Sequence, residues 1–134
     1  MAHWLVKSEP GTWSWEQHRA AGTDSWTGVR NHQAKAHLNN MKPGDGVLFY
    51  HSGEDKAVVG ISQVAGAAYP DASDPTGAFV AVDLRAVKPL ARPVTLKEIK
   101  ANATLAEMVL VKNARLSVQP VTDAEWAEVV KLGS

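Results

Sequence analysis

Two short segments near the start of this sequence combine aromatic, hydroxyl, amide and basic side chains. Residues 3–10 read HWLVKSEP, and residues 26–31 read WTGVRN. Flat aromatic rings with polar neighbours can hold a heterocycle by stacking, and basic neighbours suit a phosphate chain. The first segment is typical of a short apolar strand that stops at a proline. The second is typical of an irregular turn that ends where a helix begins.

The sequence carries no recognisable motif for catalysis or metal binding. His51 and Ser52 lie near Asp45, but a serine directly beside the histidine, without a glycine-flanked nucleophile turn, does not match the known Ser-His-Asp arrangements. His32 and His37 are five residues apart, whereas two metal ligands on one helical face stand four apart. A P-loop, a GxGxxG fingerprint and an EF-hand loop are also absent. We predict that the protein is not an enzyme and has no catalytic residue, metal or cofactor.

Length and composition bound the class of protein. The 134 residues are enough for one domain with a hydrophobic core, and we predict a single domain over residues 1–134. Apolar residues make up 45% and charged residues 21%, and the lack of cysteine excludes disulfides, thiolate nucleophiles and cysteine zinc sites. No apolar run approaches the ~20 residues that span a bilayer, and no secretion signal is recognisable. We expect a cytoplasmic protein without membrane contact, associated with the nucleoid if its source is bacterial.

Charge is balanced overall but distributed unevenly along the chain. The formal net charge is zero, which argues against broad non-specific binding to nucleic acid. Residues 46–83 contain one basic residue and five acidic ones, whereas residues 84–115 contain seven basic residues and two acidic ones. Such asymmetry permits one basic face on a neutral protein, although sequence neighbours need not share a surface.

Helix-capping motifs and hydrophobic periodicity predict a mixed architecture. Three capping boxes and one N-cap asparagine predict four helices. These helices follow Ser14, Asn31, Thr95 and Thr122 and cover residues 15–21, 32–41, 96–101 and 123–131. Runs of β-branched and aromatic residues predict strands over 3–7, 47–51, 57–64, 79–87 and 115–118, while 108–112 fits either a strand or a short helix. Successive strands with inserted helices favour an α+β domain around a curved, mostly antiparallel sheet or a small barrel.

Among the tryptophans of the first thirty residues, Trp26 is the best candidate for a ligand-facing ring. It lies between polar residues without apolar periodicity, so the pattern leaves a core position and a ligand-facing position equally open. Trp13 and Trp15 flank a short predicted helix, and we assign both to the core. Ser8 and Glu9 stand where the first strand ends. There they can read the polar edge of a base, or form a plain strand-to-loop transition, which is the simpler interpretation.

Three residues around the start of the second predicted helix can contact a phosphate. Asn31 suits an N-cap, and a helix N-terminus also favours an anion. Arg30 and Lys35 would then serve that anion, or else they are ordinary solvated charges. A turn at Tyr69 and Pro70 closes a strand, either as ordinary turn chemistry or as a second wall of the same pocket.

Taken together, these segments resemble the EVE domain family over almost the whole chain. The matching motifs are, in order, WLVKSEP at 4–10, Trp26 with GVRN at 28–31, MKPGD at 41–45, LFYHS at 48–52, VGI at 59–61, YPD at 69–71, PVTL at 93–96 and RLSV at 115–118. The resemblance implies a PUA-like α+β fold, a small β-barrel or pseudobarrel of about five to six mostly antiparallel strands with peripheral short helices. It also implies an architecture related to the YTH readers of methylated adenine.

The resemblance further implies a protein that binds nucleic acid containing a modified base. Modified cytosine in DNA is the leading candidate, and DNA is favoured over RNA. Trp26 would be the main aromatic plate of a base-binding pocket, whose expected members are Trp26, Lys7, Ser8, Asn31, Tyr69 and Pro70. Contacts to phosphates or flanking groups are expected from Arg30, Lys35, Glu9, His51 and Ser52.

Two other functions fit the same residues. One is an RNA- or tRNA-binding protein of PUA-like fold, and the other is a sensor of a free modified nucleoside or other small molecule. Burying one methyl group is worth about 0.8 kcal/mol, or about fourfold in affinity. A larger preference for a modified base needs a polar group that only that base satisfies, or steric rejection of the hydration of the unmodified base. Ser8 and Asn31 are the candidates for the polar role.

Overall fold

The computed structural model describes residues 2–113 and 115–134. These residues contain seven strands and five helices, joined by loops. The strands are β1 (His3–Ser8), β2 (Thr23–Trp26), β3 (Gly46–His51), β4 (Ala57–Val64), β5 (Tyr69–Pro70), β6 (Val80–Thr95) and β7 (Val118–Val121). The helices are α1 (Trp15–Ala21), α2 (His32–Asn40), α3 (Leu96–Ala101), α4 (Val109–Lys112) and α5 (Asp123–Leu132). Met1 and Ala114 lie outside the described residues.

The strands form a mixed sheet in the order β2-β6-β4-β3-β1-β7, with β5 paired to β6 beside it. β1 and β3 are parallel, and the other described pairings are antiparallel. β2 and β7 form the two edges and do not pair with each other within the described residues, so the sheet is open. The expected α+β fold with a mostly antiparallel sheet is confirmed, although it has more strands than expected.

Both faces of the sheet are covered, because the central strands bury successive side chains on opposite sides. In β1, Trp4 and Val6 belong to one apolar cluster and Leu5 to the other. Residues of α1 and α2 pack in the first cluster, and residues of α3, α4 and α5 pack in the second. Burial on both sides accounts for the continuous apolar runs of β1 and β3. It also holds the carboxyl ends of these parallel strands side by side, where Ser8 pairs with His51.

The capping motifs predict the helices correctly. The Ser14, Thr95 and Thr122 side chains each accept a hydrogen bond from the amide three residues on, and the glutamine or glutamate at that position bonds back. Asn31 caps α2 by accepting from the Ala34 amide at 3.0 Å. Residues 108–112, which fitted either a strand or a helix, contain the short helix α4.

Two strand predictions are wrong in their bounds and strand β2 was not predicted, and each difference reflects pairing between distant segments. β2 ends at Trp26, the first residue of the expected irregular turn, and it forms because Thr23–Trp26 pairs with β6. β6 continues to Thr95 instead of ending at residue 87, because its later residues pair with β4. The last strand is Val118–Val121 instead of 115–118, because it pairs with β1. The intrinsic strand propensity of a segment does not specify which distant strand it will pair with.

One close contact positions α1 on the sheet. A Cβ atom at Gly60 would lie 2.6 Å from atoms of the Trp15 ring, so this indole rests directly on the backbone of β4. Trp15 is buried, and its ring is edge-on to Phe49 with 5.4 Å between the ring centroids. Its assignment to the core is confirmed. The contact also holds the residues that precede α1 close to the end of β1.

Candidate functional site

A cleft of about 480 Å³ opens where the end of β1 lies near β2. Two distant segments of the chain line it. They contribute Lys7, Ser8, Glu9, Thr12, Trp13, Asp24, Ser25, Trp26 and Thr27. β1 is a central strand and β2 is an edge strand, so only the folded sheet brings the two segments together. The cleft combines two indoles, two carboxylates, one ammonium group and several hydroxyl groups.

Trp26 is the last residue of β2 and pairs with Val82 of β6. Its indole is half-buried and packs edge-on against the buried Phe49 ring, with 5.9 Å between centroids and 86° between planes. Edge-to-face contacts of this kind favour one ring orientation. Trp26 therefore combines the two positions that the sequence left open, since it contacts the core and also lines the cleft.

The turn after β1 places a second indole in the cleft. The Glu9 carbonyl accepts hydrogen bonds from the amides of Thr12 and Trp13 at 2.9 and 2.8 Å. The Ser8 hydroxyl donates a hydrogen bond to the Trp13 carbonyl. Trp13 is half-buried and packs against the core, but it also lines the cleft, so its assignment to the core alone is incomplete. Its indole Nε1 is buried and has no hydrogen-bond partner among the described residues.

Lys7, Glu9 and Asp24 are the charged residues of the cleft. Burial lowers the pKa of Lys7, because desolvation disfavours the charged ammonium. One oxygen of Asp24 accepts a hydrogen bond from the Ser25 amide at 2.9 Å. A carboxylate accepts about four hydrogen bonds, so Asp24 has capacity for a donor on a ligand. The exocyclic amine of a base is such a donor, and an ammonium group can donate to acceptors on a base edge.

Tyr69 and Pro70, which we expected to form a facing wall, lie in β5 beside β6 and do not line the cleft. The Tyr69 hydroxyl lies 2.8 Å from Ser25 Oγ and 2.5 Å from Asp83 Oδ1. The hydrogen bond to Asp83 raises the pKa of Tyr69. Tyr69 therefore supports Ser25, which does line the cleft.

Three more of the predicted site residues lie outside the cleft, namely Arg30, Lys35 and Asn31. The two cations among them lie near the Phe79 ring. The Arg30 guanidinium donates to Asp71 Oδ2 at 3.2 Å and lies 5.5 Å from the centre of the Phe79 ring. The Lys35 ammonium lies 5.9 Å from the same ring, which is a cation–π distance. Asn31 is the cap of α2. The loop that carries Arg30 follows β2 directly, whereas Lys35 belongs to α2, and neither cation lines the cleft.

His51 and Ser52 stand at the end of β3, beside the end of β1. His51 Nε2 accepts a hydrogen bond from the Trp15 amide at 2.9 Å, and its Nδ1 lies 3.0 Å from Asp55 Oδ2. The Ser52 amide donates to the Ser8 carbonyl at 2.9 Å. Neither residue lines the cleft, and both hold the backbone around its β1 side.

The sequence-predicted residues that line the cleft are Lys7, Ser8, Glu9 and Trp26. The sequence analysis missed Thr12, Trp13, Asp24, Ser25 and Thr27. Two signals were available for them. The Pro10-Gly11 pair is a turn signal that returns the chain toward the end of β1. The others are direct sequence neighbours of Trp26.

One buried histidine lies beside the aromatic contacts of the cleft. His18 is 1% exposed and stacks on Phe49 at 5.2 Å between centroids, and its Nε2 lies 2.8 Å from Ser62 Oγ. Burial lowers the pKa of His18, and the negative charge of Asp24 partly opposes this effect. His18 is therefore neutral at neutral pH.

Residues 2–113 and 115–134 contain neither a metal-binding cluster nor a membrane-spanning helix. Within these ranges, no group of three or more histidine, aspartate or glutamate side chains is arranged to hold a metal ion. None of the helices in these ranges has the length and apolar character that crossing a membrane requires.

Comparison with known proteins identifies the family. A model of the EVE domain matches residues 2–132. The chain belongs to the EVE domain family. Human thymocyte nuclear protein 1 is 32% identical to this EVE domain over 165 residues, a match that covers 98% of this chain and 73% of the human protein.

Solved structures share the fold of this EVE domain along nearly its whole length. Rpa0253 from Rhodopseudomonas palustris is 54% identical, with a TM-score of 0.94 over 99% of this chain and 93% of that one. The human THYN1 protein, in complex with DNA containing 5-methylcytosine, is 32% identical, with a TM-score of 0.92 over 100% and 98%. The YTH domain of Zygosaccharomyces rouxii MRB1, in complex with N6-methyladenosine RNA, is 18% identical, with a TM-score of 0.61 over 98% and 83%. This last likeness concerns the fold alone, and it agrees with the expected relation to YTH domains.

Proposed function

We propose that this protein binds nucleic acid and reads a modified base in the cleft lined by Trp13 and Trp26. Modified cytosine in DNA is the first candidate. The observation that carries the proposal is the cleft itself, where two indoles accompany the Asp24 carboxylate and the partly buried Lys7 ammonium. The similarity to human THYN1, whose solved complex contains 5-methylcytosine DNA, supports the choice of base.

A single base would leave its stack and enter the cleft. The cleft volume of about 480 Å³ is within the range of small-molecule sites. Unstacking and unpairing a base costs a few kcal/mol, and stacking on an aromatic side chain returns about 1–3 kcal/mol. The Trp26 ring, held edge-on by Phe49, offers a stacking surface whose orientation is set before the base arrives. A fixed ring loses little conformational entropy on binding.

Polar groups of the cleft would read the edge of the base. The Asp24 carboxylate would accept a hydrogen bond from an exocyclic amine, as acidic side chains do at cytosine. Lys7 would donate to an acceptor on the same base, and burial already removes part of its hydration. The Asp24 contact favours cytosine over thymine, since thymine has no exocyclic amine.

Equilibrium binding to matched oligonucleotides tests the proposal. The set carries cytosine, 5-methylcytosine, 5-hydroxymethylcytosine, adenine or N6-methyladenine at one position, in DNA and in RNA. We expect an affinity that depends on the modification, and we expect Trp26→Ala to weaken it by roughly tenfold or more, because a stacking contact is lost. Fluorescence anisotropy measures the affinity for each oligonucleotide and its change in Trp26→Ala.

Trp126→Ala is the matched control. Trp126 is also half-buried, but it stacks on His3 at 4.3 Å and packs with the other apolar cluster. It should keep the affinity of the wild type. Flat, weak binding that Trp26→Ala does not change would reject a base reader. Preference for RNA would support the RNA-binding alternative, and binding of free nucleosides without salt dependence would support the sensor alternative.

We propose that the single domain of residues 1–134 binds the modified base and catalyses no reaction on it. An oligonucleotide with 5-methylcytosine should therefore keep its mass after incubation with the protein, which mass spectrometry checks. A changed mass would contradict this part. The proposal also places the protein in the cytoplasm, and cell fractionation tests that location.

A further inference from the structure

A second cleft, of about 360 Å³, is lined by three lysines. Its lining residues are Asp55, Lys56, Thr95, Leu96, Lys97 and Lys100. We call it the lysine cleft. All three lysines are exposed, and none of their ammonium groups has an ion-pair partner among the described residues. The only carboxylate in the lining belongs to Asp55, and it bonds to His51 Nδ1 at 3.0 Å.

Backbone contacts join the lysine cleft to the base cleft. The carbonyl of Ser8 in the base cleft accepts a hydrogen bond from the Ser52 amide at 2.9 Å. A Cβ atom at Gly53 would lie 3.2 Å from Oε1 of Glu9, another residue of the base cleft. Gly53 precedes Asp55 by two residues, and each residue spans at most about 3.6 Å. The two clefts are therefore neighbours on the same end of the sheet, within the reach of a few nucleotides.

The charges of the two clefts are complementary to different parts of a nucleotide. The base cleft has one ammonium group, on Lys7, and two carboxylates, on Glu9 and Asp24. This balance disfavours a phosphate but suits a neutral base. The lysine cleft has three ammonium groups and one carboxylate. Because the net charge of the protein is zero, a polyanion must bind through such a local excess of positive charge.

We propose that the lysine cleft binds backbone phosphates of the strand whose base occupies the base cleft. This inference rests on the proposed function. The lysine side chains are the ligands, because the start of α3 is already closed by its own cap. Thr95 and Glu98 form that capping box, and the Leu96 amide donates to the Lys56 carbonyl at 2.7 Å. The cations that we expected to contact phosphate, Arg30 and Lys35, lie beside Phe79 and line neither cleft.

The salt dependence of oligonucleotide binding tests this inference. The variant Lys56→Gln/Lys97→Gln/Lys100→Gln is compared with the wild type on the oligonucleotide that binds best. Each lysine that contacts a phosphate contributes about 0.7–0.9 to the slope of log K against log salt. We expect the slope to fall by roughly two units and the affinity to fall equally for modified and unmodified oligonucleotides.

The variant Lys42→Gln/Lys88→Gln/Lys131→Gln is the control. It removes the same charge from exposed lysines that line neither cleft, and it should keep the wild-type slope. An equal fall in slope for both triple variants would overturn the inference, because net charge alone would then explain it. Modification-dependent binding with an unchanged slope would overturn the inference and leave the proposed function intact. No binding by the wild type would overturn both.

Inorganic phosphate separates a backbone site from a site for the free ion. We expect the amide signals of Lys56 and Lys97 to shift on titration with the oligonucleotide and to saturate with the rest of the complex. Inorganic phosphate should not saturate them at the same concentration. Saturation by inorganic phosphate alone at that concentration would assign the lysine cleft to free phosphate and overturn the inference.

Discussion

The Asp71 carboxylate accepts a hydrogen bond from the Gly28 amide at 2.8 Å and thereby ties the turn after β5 to the loop after Trp26. The same carboxylate accepts from the Arg30 guanidinium at 3.2 Å and from both the amide and the hydroxyl of Ser73. Gly28 has a φ of +80°, which glycine adopts without strain. Burial raises the pKa of Asp71, but these hydrogen bonds outweigh burial and hold it well below its usual range.

Asp71→Asn should therefore destabilise the fold and loosen the loop after Trp26. The variant loses charge-assisted hydrogen bonds, and we expect the free energy of unfolding to fall by about 1–3 kcal/mol. Urea denaturation measures this change, and affinity for the oligonucleotide should fall with it. Asp74→Asn is the control, because Asp74 accepts from the Thr76 amide at 2.9 Å in the same turn without bonding to the loop after Trp26. Equal losses of affinity in both variants would contradict a role for Asp71 at the cleft.

Asp24→Asn should reduce the preference for bases with an exocyclic amine. If Asp24 accepts a hydrogen bond from that amine, the loss should be about 1–3 kcal/mol of discrimination against thymine. Anisotropy titrations with cytosine and thymine at the same position measure it. Asp83→Asn is a suitable control, since Asp83 bonds to Tyr69 and Ser25 and lies outside the cleft lining. Equal weakening for cytosine and thymine would show that Asp24 does not read the amine.

Ser8→Ala should misplace Trp13, because the Ser8 hydroxyl donates to the Trp13 carbonyl. The hydroxyl proton is thus already engaged within the protein. We expect a loss of about 0.5–1.5 kcal/mol in binding, equal for modified and unmodified oligonucleotides. Ser52→Ala should have less effect, because the Ser52 hydroxyl lies 3.3 Å from the Ser8 carbonyl oxygen. A change confined to selectivity would instead favour Ser8 as a direct reader of the base.

Stability should decrease as the pH falls below about 6.5, through the buried His18 and the half-buried His37. Burial lowers the pKa of both His18 and His37 in the folded state. The unfolded chain then binds protons more tightly than the folded one, so stabilisation is complete above pH ~6.5 and is lost as the pH falls toward the folded-state values. His18→Gln should reduce this slope, by at most about 1.4 kcal/mol per pH unit. Urea denaturation over a pH series tests it. The exposed His32→Gln variant should keep the wild-type slope, and an unchanged slope in His18→Gln would assign the effect elsewhere.

Local features of this fold were readable in the sequence. A capping box joins residues only three apart, so Ser14 with Gln17 and Thr95 with Glu98 predict their helices without knowledge of the rest of the chain. The apolar runs of β1 and β3 also predict strands, because burial on both faces leaves no polar alternation. The aromatic and polar residues around Trp26 left a core position and a ligand-facing position equally open, and the structure gives Trp26 a contact with the core and a place in the cleft lining.

The complete site was not readable, because its members meet through long-range pairing. Asp24 and Ser25 belonged to no predicted helix or strand, and only the pairing of β2 with β6 makes that segment a strand. Tyr69 was expected to form a wall of the pocket. Instead its hydroxyl bonds to Asp83, and the residue does not line the cleft. Trp26 lies in β2 and Trp13 in the turn after β1, and β1 and β2 are not adjacent in the sheet.

By itself, then, the sequence determined the caps, the buried central strands, the family resemblance and one aromatic residue of the cleft. Each of these depends on residue types or on contacts within a few positions. The tertiary structure alone decided that residues 7–13 face residues 24–27, and that Lys56 joins Lys97 and Lys100 around a second cleft. The physical reason is that strand order and register bring distant residues together, and no local propensity encodes which strands will pair.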